Sequence, residues 1–169
     1  MRREHTRLAR VLAACGGFLL AILWMDLMFD VQVLPHASSV ELPEPIVVSI
    51  ATYYRRVTTD ARPMSALIGT VMVVAVGGAL WQLIRAPGLR TLLAVVLIAA
   101  PVALAFGRVL PDAIRLGQRG DSLAVQGELA RSICRGHLLC LASVVGFLVV
   151  QLTGVQRADG GRTGLQMQK

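Results

Sequence analysis

The sequence predicts an all-α fold, an integral membrane four-helix bundle with an extra interfacial helix between helices one and two. Of its 169 residues, 55% are apolar and only 16% are charged, and the mean hydropathy is positive. Such a chain is too apolar for an ordinary soluble domain. The apolar residues also fall into four blocks, and a helix of about 20 residues crosses a bilayer. The predicted spans cover about 11–31, 64–85, 91–110 and 133–152.

The first span has to include two acids. Its uncharged part covers only 11–25, so it reaches spanning length by taking in Asp26 and Asp30, which share one helix face. A cleaved signal peptide is the competing interpretation, because the chain starts with several arginines. The apolar part is long, however, and Asp26 precedes any good small-residue cleavage site. We therefore expect an uncleaved helix.

Charge distribution predicts the topology. With four spans, the N-terminus, the 85–90 link and the C-terminal tail share one side, which holds nine of the seventeen Lys and Arg residues. Four of these lie in the first ten residues, and the first helix usually sets the orientation. We expect a multi-pass protein of the bacterial plasma membrane with both termini cytoplasmic. The membrane domain covers 1–153, and the polar, glycine-rich 154–169 is expected to be a disordered cytoplasmic tail.

An interfacial helix is predicted over about 45–58. Pro45 can begin a helix, and the apolar run that follows is too short to cross a membrane. Its apolar residues follow helical spacing along one face: Ile46, Val47, Ile50 and Tyr54. This helix is either a plain amphipathic cover over the bundle or a lid over a site.

Two further features concern the boundary between helices three and four and the packing of all four spans. Glycines suggest a loop over 111–120, and Asp121 and Ser122 are candidate N-caps for a fourth helix that begins before its membrane part. Small residues also recur four apart in every span, as in the pairs containing Gly17, Gly69 and Gly107, which favours close helix packing.

Ionisable residues from three spans fall at nearly one depth. With a rise of about 1.5 Å per residue, Asp26, Arg108 and His137 lie at similar heights near one side of the membrane. Asp26 is expected to pair with Arg108 or His137, either to hold the bundle together or to line a polar pocket. No catalytic residue can be assigned. The candidate ligand-binding residues are Asp26, Asp30, Arg108, His137, Arg135, Tyr54 and Arg55.

Metal and nucleic-acid functions are not predicted. Cys134, His137 and Cys140 are spaced by three on one helix, which spreads them over about 120° of its surface, too wide for one tetrahedral site. No cofactor is expected. The net charge of +7 comes from residues that flank the apolar blocks and form no basic face for nucleic acid.

Three stretches carry a resemblance: LPEPIVVSIATYYRRV, RVLPDAIRLG and ELARSICRGHLLC. They resemble uncharacterised small four-helix bacterial membrane proteins. More distantly, the layout is similar to the anthrone-oxygenase-like family, in which a polar loop follows helix one and an Arg/His-containing segment opens helix four. The resemblance implies oxidation or binding of a hydrophobic small molecule, and it assigns no individual residue a role.

The expected function is binding of a small amphiphilic molecule at an outward-facing polar site. The alternatives are a structural or accessory subunit of a membrane complex, without a ligand site, and a membrane-embedded oxygenase-like enzyme acting on a hydrophobic small molecule. The expected partners are the lipid bilayer, such an amphiphile, and a second copy of the chain or a membrane partner protein.

Overall fold

The computed structural model describes the backbone of residues 2–166 and the side chains of residues 6–61 and 63–154. Within that part every element is helical, which confirms the all-α prediction. Six α-helices follow one another: α1 Arg2–Asp30, α2 Glu44–Thr59, α3 Arg62–Arg85, α4 Leu89–Leu104, α5 Leu110–Gln118 and α6 Leu123–Gln166. A 3₁₀ turn, Val31–His36, follows α1, and a π turn, Ala105–Val109, follows α4.

Four helical stretches of the described chain are long and apolar enough to cross a membrane: Thr6–His36, Pro63–Arg85, Leu89–Gln118 and Leu123–Gly154. Each contains one of the predicted spans. Their outer faces leave large apolar side chains exposed, among them Val73 at 73% and Leu139 at 62%. A soluble protein rarely exposes so much contiguous apolar surface.

The bundle has two cores, one at each end. At the end with the N-terminus, α1, α3, α4 and α6 pack around Leu12, Ile98 and Phe147. At the other end, α2 and α5 pack on α6 around Ile50 and Ile133. The closest approaches occur at glycines other than those named from the sequence. A Cβ on Gly78 would lie 2.7 Å from Leu12, whereas one on Gly17, Gly69 or Gly107 would meet nothing within 4 Å.

The third span differs from its prediction. The expected loop over 111–120 is wrong, because α4, the π turn and α5 form one continuous helical stretch to Gln118. Pro111 lies within this stretch, directly after the π turn, and its missing N–H removes one helical hydrogen bond without ending the helix. Gly117 lies inside the helix, and a Cβ there would come within 3.0 Å of the Arg55 backbone nitrogen. This glycine therefore permits α2 and α5 to touch and does not end the helix.

α2 and α6 lie where the sequence places helices. α2 buries Val47, Ile50, Ala51 and Tyr54 against the bundle. α6 begins after Ser122, whose Oγ accepts from the Val125 N–H at 3.5 Å. The helix continues to Gln166. The side chains of the predicted disordered tail, 154–169, lie almost entirely outside the described part. The disorder of this tail stays a prediction.

Candidate functional site

Five side chains from three helices meet at the end of the bundle that α2 covers. Asp26 and Asp30 lie one turn apart on α1, Tyr53 and Tyr54 are adjacent on α2, and His137 comes from α6. We call these five residues the polar cluster. The i, i+4 spacing puts both carboxylates on one face of α1, and α2 lies across that face.

Asp30 is the innermost member of the polar cluster. It has no exposed surface. The Tyr54 hydroxyl donates to its Oδ1 at 2.7 Å, and its Oδ2 lies 2.6 Å from Nδ1 of His137. A carboxylate can only accept, so Nδ1 of His137 carries the hydrogen in this contact. The bond to Asp30 therefore fixes the orientation of the imidazole ring and directs Nε2 the other way.

Asp26 faces the opposite side of the same imidazole. The Tyr53 hydroxyl donates to Oδ1 of Asp26 at 2.6 Å. Oδ2 of Asp26 lies 3.8 Å from Nε2 of His137, and this distance is too long for a hydrogen bond. The Tyr53 ring is held in place by stacking on Phe29, with ring centroids 4.0 Å apart. Asp26 and Nε2 thus present two polar atoms side by side without bonding each other.

The two phenols remain protonated hydrogen-bond donors. Burial, followed by the hydrogen bond to Asp26, raises the pKa of Tyr53. Burial, followed by the nearby charge of Asp30, raises the pKa of Tyr54 well above its usual value. Both effects disfavour a phenolate next to a carboxylate. The chain contains only these two tyrosines.

Two cavities adjoin the polar cluster. The inner cavity, of about 130 Å³, lies inside the bundle and is almost wholly apolar. The lateral cavity, of about 440 Å³, lies between the first half of α3 and the π turn and α5, beneath α2. Both are lined by the same five residues, Asp26, Ile68, Met72, Ala105 and His137. The two cavities therefore share a wall to which both Asp26 and His137 belong.

The lateral cavity lies between two long apolar helical stretches. It is bordered by Ser65, Gly69 and Met72 of α3 on one side and by Phe106 and Ile114 on the other. Both of these stretches belong to helices that are long and apolar enough to cross a membrane. The lateral cavity is therefore walled mainly by apolar side chains of these two stretches.

No family model, curated protein or solved structure matches this chain. The resemblance to the anthrone-oxygenase-like family therefore stays a prediction. What the site can do has to follow from its own atoms, which are two carboxylates, one imidazole and two phenols beside two cavities.

The structure brings Asp26, Asp30, Tyr54 and His137 together and places the three candidate arginines elsewhere. Arg108 does not pair with Asp26. Its guanidinium donates to Ser132 Oγ at 3.1 Å, and its side chain is 69% exposed. The π turn explains this, since one extra residue in a turn rotates the following side chains by about 100°.

Arg135 joins Arg108 in a wide groove of about 930 Å³ on the other side of the π turn. This groove also contains acids: Asp112 lies 3.9 Å from Arg108, and Glu128 pairs with Arg131 at 2.6 Å. Arg55, the third candidate, lies on the exposed side of α2 beside a different surface cavity. None of the three arginines lines the lateral or the inner cavity.

Several residues of the site could not be named from the sequence. Tyr53 is not on the apolar face predicted for the interfacial helix, yet its hydroxyl bonds Asp26. Ile68, Met72 and Ala105 are ordinary apolar residues of a span, and nothing in their spacing marks them as cavity walls. No group of three or more His, Cys, Asp or Glu side chains in the described residues is arranged to hold a metal ion.

Proposed function

We propose that this chain is a multi-pass protein of the bacterial plasma membrane that binds a small amphiphilic molecule. The polar head of the ligand lies at Asp26 and His137, and its apolar body occupies the lateral cavity. The observation that carries the proposal is the position of these two side chains, which line both cavities and leave two polar atoms unbonded to each other.

Membrane placement follows from the surface of the bundle. Four apolar helices with exposed Leu, Val and Phe side chains require lipid or protein around them. At the cytoplasmic end of α3, the Arg85 guanidinium lies over the Trp81 ring at 4.4 Å, a pair typical of the membrane interface. In this orientation both termini are cytoplasmic, and α2 lies at the outer interface as a cover over the polar cluster.

The chemistry of the lateral cavity supports an amphiphile. A purely apolar ligand would leave Asp26 without a partner on its free oxygen, and an unsatisfied buried polar group costs about 1–3 kcal/mol. A purely polar ligand would find mostly apolar walls, such as Ile68, Met72 and Phe106. A molecule with one polar end and one apolar end satisfies both. Since the cavity lies between two helical stretches that are apolar enough to cross a membrane, such a molecule enters from the bilayer.

The experiment uses a medium-chain alcohol that carries a photoreactive diazirine in its tail, added to the protein in lipid nanodiscs. Crosslinked peptides are mapped by mass spectrometry. We expect labelling of Ile68, Met72 and Phe106 to exceed that of Val73, whose side chain is exposed on the outer face of α3.

Two glycines of α3 provide a matched pair of variants. Gly69 lines the lateral cavity, and Gly77 is exposed away from it; a Cβ on either meets nothing within 4 Å. Gly69→Leu places a side chain in the cavity and should lower the specific labelling about tenfold, the effect of losing roughly 1.4 kcal/mol of binding. Gly77→Leu should leave it unchanged. Equal labelling of inward and outward residues in the wild type would favour the structural alternative, in which the polar cluster only joins α1, α2 and α6.

An enzyme is the second candidate function, and the contact between Asp30 and His137 favours it. A buried carboxylate on Nδ1 and an imidazole that lines a cavity are the arrangement of a general base. If His137 acts in this way, His137→Gln should change the molecule recovered with the protein from product to unreacted substrate. Recovery of the same molecule with both proteins would restrict the site to binding.

A further inference from the structure

We infer that the amphiphile bound beside Asp26 and His137 carries a cationic head, and that this head is a protonated amine. The inference rests on the proposed binding function and assigns the chemical class of its ligand. It follows from the charges, the hydrogen-bond donors and the geometry of the polar cluster.

The cavities contain an excess of negative charge. Asp26 and His137 are the carboxylate and the imidazole of the two linings, and no Lys or Arg lines either cavity among the described residues. Asp30 lies directly behind His137. With both carboxylates ionised and a neutral His137 whose hydrogen is on Nδ1, the polar cluster carries a charge of −2. In apolar surroundings a charge without a partner is unfavourable.

The arginines that could neutralise this charge are held elsewhere. Arg108 donates to Ser132 in the groove beyond the π turn, and Arg135 lines that same groove. Arg131 donates to Glu128 and to the carbonyl of Ser39. The compensating positive charge is therefore left for the ligand to supply.

The hydrogen-bond donors of the polar cluster already have acceptors. The Tyr53 hydroxyl donates to Asp26 and the Tyr54 hydroxyl donates to Asp30. Nδ1 of His137 faces Asp30 as well. An anionic head would find no hydroxyl hydrogen left in the polar cluster and would add a negative charge to it. The polar cluster therefore rejects carboxylate and phosphate heads.

The geometry of the free atoms fits an ammonium group. Asp26 Oδ2 and His137 Nε2 are 3.8 Å apart, so one donor group with several hydrogens can reach both. An ammonium has three donors and the required charge, whereas a hydroxyl has one hydrogen and no charge. A hydrogen bond to a charged group contributes roughly 1.5–3 kcal/mol, which corresponds to a tenfold to hundredfold preference for the amine over the alcohol.

The experiment compares three probes with the same tail: decylamine, decanol and decanoate. Saturable binding to the wild-type protein in nanodiscs is measured by calorimetry near neutral pH, after subtraction of partitioning into nanodiscs without protein. We expect decylamine to bind at least about tenfold more tightly than decanol and decanoate to show no saturable binding. Asp26→Asn should abolish the preference for decylamine. The control is Asp112→Asn, since Asp112 lies in the groove outside both cavities.

The outcomes separate the inference from the function on which it rests. Saturable binding of decanol or decanoate as tight as that of decylamine would overturn the cationic assignment and leave the amphiphile site in place. An unchanged preference for decylamine in Asp26→Asn would overturn the assignment to this cavity. No saturable binding of any probe to the wild-type protein would overturn both.

Discussion

Removal of one hydroxyl from Tyr54 tests the internal structure of the polar cluster. Tyr54→Phe keeps the ring, which is 3% exposed, and deletes the hydrogen bond to the fully buried Asp30. The carboxylate oxygen Oδ1 then loses its donor where water has no access. A hydrogen bond to a charged group contributes about 1.5–3 kcal/mol, so the free energy of unfolding should fall by about 2 kcal/mol.

The neighbouring tyrosine provides the control. Tyr53→Phe deletes a hydrogen bond of similar length to Asp26, whose side chain is 15% exposed and borders a cavity. Water can replace the lost donor there, so the cost should be about 0.5–1.5 kcal/mol. Unfolding by SDS in mixed micelles, followed by circular dichroism, measures both variants. A Tyr53→Phe cost equal to or larger than that of Tyr54→Phe would refute the assignment of Asp30 as the buried member of the pair.

Three further predictions concern other parts of the fold. Because the pKa of both tyrosines is raised, the native protein should show no tyrosinate absorbance at about pH 11, whereas the tyrosines of the unfolded chain should ionise near pH 10. The contribution of the two phenols to the free energy of unfolding is therefore fully present below about pH 10 and falls as the pH rises further. Gly136→Ala places a Cβ 2.6 Å from Val109 Cγ2 and should lower the free energy of unfolding by about 1–3 kcal/mol. The control Gly107→Ala places a Cβ that meets nothing within 4 Å and should not clash. Similar unfolding midpoints for the two variants would contradict this packing. The buried amides of Gln82 and Gln151 bond each other at 3.2–3.3 Å. Gln151→Leu alone should therefore lower the free energy of unfolding by about 1–3 kcal/mol, and the variant with Leu at both positions should lower it less. Additive losses of unfolding free energy in a double-mutant cycle would show that the pair is not coupled.

The helices could be predicted from composition because span length and hydropathy depend only on the local sequence. The π turn could not. Nothing in Ala105–Val109 distinguishes a π turn from continued α-helix, and this turn decides where Arg108 points. Of the two partners predicted for Asp26, Arg108 points elsewhere for that reason, whereas His137, on a helix without such a turn, places Nε2 at 3.8 Å from the carboxylate.

Finding the site requires both the burial of each polar side chain and the direction in which that side chain points. Spacing along α1 correctly puts Asp26 and Asp30 on one face, but it cannot show which acid is more buried. Asp30 is the fully buried member, because α2 covers it with Tyr54. The cavity walls depend on how α3 diverges from the π turn and α5, a tertiary property without a local signal.

The claim at the centre of this account is that an amphiphile lies in the lateral cavity with its head at Asp26 and His137. Crystals grown in a lipid phase with bromodecanol, whose bromine marks the end of the tail, test it directly through anomalous scattering. We expect a bromine peak within the cavity, among Ile68, Met72 and Phe106, with the hydroxyl at hydrogen-bond distance of Asp26 or His137. Bromine peaks confined to the outer surface of the helices, with the cavity closed, would contradict the account.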